Sequence, residues 1–570
     1  MMLPALVSCN ANEGQDPVAS DARTAQEVLF EDGNYAMFIH FGLYSKLEGV
    51  WKGQTYYGNA EWIMDPSQAG IPVDEYMAEA SSFNPEKFNA QEIVKLAMDA
   101  GMKYIVITSK HHEGFAMFDS SAGGFDIVDA TPFGRDVIGE LAEECHRNGI
   151  GIGFYYSQWQ DWTAPGGGRG PEMDENGRRV SFEEYFRNKC VPQVNEITTK
   201  YGDVELIWFD TPGPLEKKYS AELVDLVKKN QPDALVSSRI GNGMGDYESL
   251  GDMEVPVMNT PGRWEGIDVT QTGWGYSKND HVFKSPDYIV RNLFSTVARG
   301  GTFMLNVGPG GDGSIDEMVA SSLRSSGEWV RKYPQAIYAA GASPWGHALP
   351  WGDAVTQKGK VILGVFDWPS DGRLWVPGIK SEIKSVFLAG GKRLRFRKEG
   401  DWLCVSVPYE KPEKIAAVIE LVFDGEFEVD QTMAVMPAGK TEIPVDFASL
   451  SGCKRKKSEW MEKMGEWKFT TNAYGFEENG YVEWTLDFER AGCYDIQLKY
   501  LGEGNYDWLI TTDEGESLTY LQPGTPAYAS HEIGWIKVNE AGKRTFRVKP
   551  LSGMVDKVHL STLVLNKVEF

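Results

Sequence analysis

Asp210 closes the run Glu-Leu-Ile-Trp-Phe-Asp, so apolar that the carboxylate must sit at the mouth of a core; Trp208, two residues earlier, points to the same side of an extended chain. A carboxylate in that position can cap the following turn or attack a substrate carbon. Attack at an acetal carbon by double displacement needs a second, protonated carboxyl group to deliver a proton to the leaving oxygen. Glu248, Glu254 and Glu265 lie downstream. Glu265 ranks first: it follows Arg263-Trp264 and precedes Thr-Gln-Thr-Gly-Trp-Gly-Tyr, an aromatic, Gly-rich loop that carries Trp274 and suits the lining of a pocket. The plainer alternative is an acid on a surface loop.

Three histidines admit two kinds of chemistry. His40, His111 and His112 together with Asp210 could hold a hydrolytic metal ion. Adjacent residues of an extended segment point in opposite directions, however, and the chain has no H-x-H or H-x-x-x-H pairing here. Neutral imidazoles that hydrogen-bond sugar hydroxyls fit better, and no metal or cofactor is expected. A core histidine is the alternative for His40.

These groups are positioned by a recurring unit, an amphipathic helix closed by glycine and then a short apolar strand whose last residues turn polar. AQEIVKLAMDAG leads to MKYIVITSKHHEGF, DVIGELAEECHRNG to IGIGFYYSQWQDW, and QVNEITTKYG to DVELIWFDTPG. Gly101, Gly149 and Gly202 stand where left-handed helix caps are needed. The strands exit through His111 and His112, Tyr155 and Tyr156, then Trp208 and Asp210; polar groups gathered at the carboxyl ends of parallel strands mark an α/β active-site face. Further strands are expected at Tyr35–Gly42, at Ala-Leu-Val-Ser-Ser-Arg ending in Arg239, near 253–258 and at Thr302–Pro309. Ser314 and Glu317 are spaced as a capping box. The fold class expected is α/β, a (β/α)8-like barrel over 23–342. NVGPGGDG lacks the Lys and Ser/Thr of a phosphate loop and reads as a turn.

After 342 the pattern changes to short alternating segments. KVILGVFDW, RLWVPG, WLCVSVP and AAVIELVF describe an all-β domain over 343–445. The basic stretch CKRKKSEWMEK reads as a connector to a second β-sandwich over 455–570, where Trp508 and Trp535 look exposed. Packing is the commoner use of such rings, and binding glycan is the alternative. At 570 residues, roughly three domains are in keeping with about 150–250 residues per core. A net charge of -26 disfavours nucleic acid and anionic membranes, although it also serves solubility alone. The 18 Trp and 24 Tyr exceed what core packing usually demands, which leans towards sugar ligands. Six scattered cysteines form no metal-like spacing.

Residues 1–22 read as a leader remnant and linker. Leu6-Val7-Ser8-Cys9 resembles a bacterial lipoprotein processing site, with a lipid anchor at Cys9 and a periplasmic or cell-surface location; a plain frayed terminus is the alternative. No run approaches the roughly 18 apolar residues of a membrane span.

FIHFGLYS, SSFNPEKFNAQEIVKLAMDAGMKYIVITSKHHEGFAMFDS, FDIVDATPFGRDVIGELAEEC, GFYYSQWQDW, ELIWFD, RWE, WGY and GGTFMLNVGP, in this order, resemble the α-L-fucosidases of glycoside hydrolase family 29 across nearly all of 30–340. KHHEGF, WFD and GG-x-x-x-LNVGP are its most specific parts. The resemblance implies a retaining exo-enzyme that releases α-L-fucose from fucosylated glycans, with a barrel followed by a β-sandwich. It implies Asp210 as nucleophile, Glu265 as acid/base, and a fucose subsite lined by His40, Trp62, His111, His112, Tyr155, Trp208, Arg239 and Trp274. Two positions depart from the family pattern: Glu113 where Asp is common, and Thr211 where Gly is common. A catalytically silent glycan-binding lipoprotein and a metal-dependent hydrolase are the competing readings.

Overall fold

In the computed structural model, residues 33–463, 466–553 and 555–568 are described. Cys9 and the lipoprotein-like segment lie outside them. Eight parallel strands form the first domain: β1 (Tyr35–Ile39), β2 (Tyr104–Lys110), β3 (Gly151–Ser157), β4 (Leu206–Asp210), β5 (Leu235–Val236), β6 (Glu248–Ser249), β7 (Trp264–Val269) and β8 (Thr302–Val307). Their order is β5-β4-β3-β2-β1-β8-β7-β6. A single parallel bridge, Ser237 to Tyr247, joins the two outer edges, reinforced by the Asp246 amide on the Val236 carbonyl and the Ser238 amide on the Tyr247 carbonyl. The sheet is thus a barrel in sequential order, as expected.

Local chemistry explains the helices between strands. Ala90–Ala100 starts on Asn89, whose side chain accepts from the Glu92 amide, and ends on Gly101 at φ 87°. Val137–Asn148 starts on Asp136 and ends on Gly149 at φ 66°. Both glycines take the left-handed cap that the sequence required. Gly202 has φ 76° but stands in a turn beyond the helix Val191–Ile197, so it is not a direct cap. The Ser314–Glu317 capping box does not form either: helix Glu317–Lys332 is capped by Asp316, whose carboxylate accepts from the Met318 amide. Inside the barrel, Phe38, Tyr104, Tyr155, Trp208, Ile267 and Met304 pack together, and the outer faces of the strands pack on the helices.

Residues 253–258 are not a strand. The chain runs from β6 through an irregular segment to β7, which begins only at Trp264. Pro256 removes a ladder donor from the middle of the expected strand.

Two all-β domains follow. The first contains a five-stranded and a three-stranded antiparallel sheet between Gly352 and Phe423. Its junction with the barrel includes a buried bidentate pair, Arg299 to Asp353, at 2.8 and 2.9 Å. The second is a two-sheet sandwich, and it begins earlier than expected. Met433–Val435 pairs with Leu486–Phe488, and Lys440–Pro444 with Thr562–Asn566, so these strands belong to the last domain rather than the middle one. The basic stretch is no connector either: Lys454–Lys463 is a strand, paired in a hairpin with Glu466–Tyr474. Trp508 is fully buried in the sandwich core, while Trp535 is exposed as anticipated.

Candidate active site

The carboxyl ends of the strands surround a hollow of about 160 Å³, lined by Phe38, His40, Asn59, Glu61, Trp62, His111, His112, Trp208, Asp210, Thr211, Arg239, Asp252, Ile267, Trp274 and Trp467. Asp210 is the last residue of β4 and reaches this space. Three groups hold its carboxylate, and a fourth fixes its backbone. Tyr155 donates its hydroxyl to Oδ2 at 2.9 Å, Arg239 donates Nη1 to Oδ1 at 3.2 Å, His112 Nε2 lies 3.6 Å from Oδ2, and the Asp210 amide donates to Gln158 at 3.0 Å. Burial alone would raise its pKa, but Arg239, His112 and the Tyr155 hydroxyl outweigh it and hold the carboxyl below its ordinary value. Asp210 is therefore ionised and aimed, as a nucleophile must be.

The histidines sit in the hollow as neutral rings. Burial lowers His40 and His112 to about 4, and lowers His111 well below its usual range. His40 Nδ1 pairs with Asn306 Oδ1 at 2.7 Å, and His112 Nδ1 with the Ser157 hydroxyl at 2.7 Å. His111 and His112 leave β2 into a turn, so their rings do not diverge as in a strand; the centroids are 4.1 Å apart and both face the hollow. Among the described residues, no group of three or more His, Cys, Asp and Glu is placed to hold a metal ion. Trp62 packs edge-on to His112, and Trp274 lies against His40. Tyr155 reaches the site through its bond to Asp210.

Thr211 follows the carboxylate at φ 46°, a conformation that suits glycine and strains a β-branched residue. Its hydroxyl lies 3.4 Å from His112 Nε2.

Glu265 is not where the sequence suggested. It is the second residue of β7, not part of a loop, and pairs across the sheet with Thr302, the first residue of β8. Its Oε1 accepts from the indole of Trp208 at 2.8 Å, which places it one inward-facing layer below Asp210, and Tyr104, the first residue of β2, feels its charge. It is 1% exposed and does not line the hollow. Burial pushes it up to about 7, so this interior acid carries a proton below about pH 7. Glu254 is also turned away, with one oxygen on the Gly251 amide and the other paired with Lys457. Glu248 is exposed.

The carboxylates that share the hollow with Asp210 are Asp252 and Glu61, neither singled out by the sequence. Asp252 lies in the irregular segment between β6 and β7. Arg239 Nη2 donates to its Oδ1 at 2.6 Å and also to the Leu250 carbonyl at 2.9 Å. One guanidinium, stacked 4.8 Å over Trp208, thus spans Asp210 and Asp252. The Asp252 side chain is 26% exposed against 12% for Asp210, so it stands on the rim. Glu61 is buried in the turn Ala60–Trp62 and accepts from the Gly275 amide at 2.7 Å. Burial, with Asp252 and Asp210 nearby, pushes it up to about 7.

A sequential (β/α)8 barrel with paired carboxylates over a monosaccharide-sized hollow of aromatic and imidazole groups defines a barrel glycoside hydrolase. The α-L-fucosidase family profile matches residues 5–335, and the chain belongs to that family of fucose-releasing glycoside hydrolases. It is 28% identical to the α-L-fucosidase of Dictyostelium discoideum over 376 residues, which cover 60% of this chain and 79% of that protein. Among solved structures, the α-L-fucosidase of Vibrio sp. strain EJY3 superposes with a TM-score of 0.77 at 27% identity, covering 94% of this chain and 96% of the other. Isoenzyme 1 from Paenibacillus thiaminolyticus gives 0.62 at 29% identity, covering 69% and 97%.

Proposed function

We propose that the enzyme releases α-L-fucose from fucosylated oligosaccharides or glycoconjugates by double displacement, with Asp210 as nucleophile and Asp252, in place of Glu265, as acid/base. The observation that carries this reading is the Arg239 fork, which sets two carboxylates of unequal exposure side by side over the hollow. In the first step an Asp210 oxygen attacks C1, the bond from C1 to the leaving oxygen breaks, and Asp252 gives that oxygen its proton. In the second step Asp252 takes a proton from water, the water oxygen attacks C1, and the ester bond to Asp210 breaks. Two inversions give net retention. Asp252 must leave Arg239 to meet the leaving oxygen, while Arg239 keeps Asp210 and the Leu250 carbonyl. Neutral His40, His111 and His112 suit hydroxyl recognition, and Trp62 and Trp274 give an apolar wall to the C6 methyl.

Asp210→Asn should bind fucose yet lose nearly all turnover of an aryl α-L-fucoside, and NMR of the first-formed product of the native enzyme should show the α anomer. Full activity of the variant, or a β product, refutes the reading. The envelope location expected from Leu6–Cys9 rests on the sequence alone; incorporation of labelled fatty acid, abolished by Cys9→Ser, is its test.

A further inference from the structure

The hairpin Lys454–Lys463/Glu466–Tyr474 belongs by its pairing to the C-terminal sandwich, where its second strand meets His559–Val568. It nevertheless lies on the barrel. Lys457 forms an ion pair with Glu254, and its ammonium stands 4.9 Å over the ring of Phe469. That ring packs so closely on Gly251 that a Cβ there would come within 2.7 Å of it. Gly251 and Glu254 flank Asp252, so the hairpin rests on the loop that carries the proposed acid/base. Trp467, two residues before Phe469 on the same strand face, lines the hollow; among the described residues it alone in the lining comes from outside the barrel domain.

The leaving sugar must extend outward from the hollow on the side of its departing oxygen, which is the Asp252 side. A half-buried indole on that polar rim offers a flat apolar surface of the kind that covers the C–H face of a pyranose. We infer that Trp467 is a specificity-determining residue, the platform on which the sugar bearing the fucose stacks. The family profile ends at residue 335, so this wall comes from a part of the chain beyond the matched region. The inference rests on the fucosidase reading above.

The test compares two substrates of the full-length enzyme, α-L-fucosyl fluoride, whose leaving group has no sugar, and a fucosyl disaccharide. In Trp467→Ala the ratio of kcat/KM for disaccharide over fluoride should fall about tenfold. Trp467→Phe should keep most of the ratio. Trp467→Leu, which retains bulk without a flat ring, should lose it, and this pair carries the test if the alanine variant does not fold. An unchanged ratio, or a parallel fall on both substrates, overturns the inference while leaving the fucosidase reading intact. A native enzyme inactive on both substrates overturns the two together.

Discussion

Tyr155 and Trp208 stack in parallel, 5.5 Å between centroids and 17° between planes, and each gives its polar hydrogen to a different carboxylate. Tyr155 donates to Asp210 and Trp208 to Glu265. They are neighbours in register across β3 and β4, so one aromatic layer orients the Asp210 carboxylate above while bonding the interior acid Glu265 below.

The Tyr155 hydroxyl helps to hold Asp210 below its ordinary pKa. Tyr155→Phe keeps the stack and deletes that bond, so the pKa of Asp210 should rise and the acidic limb of the kcat/KM profile should move to higher pH. A loss of about 10-fold or more in kcat is expected at the optimum, in line with removing a hydrogen bond to a charged group. Activity against pH for the two enzymes checks it.

Asp252 and Glu265 can be separated chemically. With an aryl fucoside whose leaving group needs no proton, Asp252→Ala should form the ester and then stall, and added azide should restore turnover and give the α-fucosyl azide by a second inversion at C1. Glu265→Gln should show no azide rescue, because Glu265 lies a layer beneath the hollow. Rescue of the second variant and not the first would reverse the assignment.

Glu61 faces the hollow as a neutral acid below about pH 7 and as a carboxylate above it. Ionisation adds a negative charge beside Asp210 and Asp252, which opposes attack on a substrate and disturbs proton delivery. The basic limb of kcat/KM should therefore include a group near 7, and Glu61→Gln should remove that component while leaving the acidic limb in place.

Glu113, whose Oε2 lies 3.6 Å from His111 Nδ1, is pushed up to about 8 by burial. In the unfolded chain a glutamate ionises near about 4.3. Between these values the unfolded state binds fewer protons than the native one, so this contribution to stability is complete below the lower value, is lost as pH rises to about 8, and is flat beyond. Glu113→Gln cannot titrate. Its melting temperature should fall less than that of the native enzyme between about pH 5 and pH 8, a difference worth roughly a few kcal/mol.

Much of the barrel was legible because its signals are local. Gly101 and Gly149 end helices, apolar runs follow, and polar residues close them, so the strands carrying His111, Tyr155, Trp208 and Asp210 could be read directly. Glu265 reads as a loop residue in the sequence because it precedes an aromatic, Gly-rich stretch and the nearest strand is expected at 253–258; Pro256 interrupts that stretch, and the strand that carries Glu265 starts at 264. Asp252 sits in an irregular segment with no periodicity, and its one available signal was a Gly-Asp pair between two strands, a pattern shared by many turns. Trp467 was beyond reach of sequence reading, because its place at the site depends on how the last domain docks on the barrel. The apparent basic connector is a strand because it pairs in a hairpin with Glu466–Tyr474, a partner that its polar sequence does not announce.

The staves of this barrel are unequally fastened. β5 and β6 contribute two residues apiece, and one bridge with a few neighbouring amides closes the cylinder between them. Local opening is cheapest where backbone pairing is sparsest. Arg239 and Asp252 stand along that seam, whereas Asp210 ends a strand of five residues and the adjacent histidines directly follow one of seven. Opening there would widen the mouth beside Arg239 and Asp252, while the side built by Asp210 and the histidines is held by the longer strands.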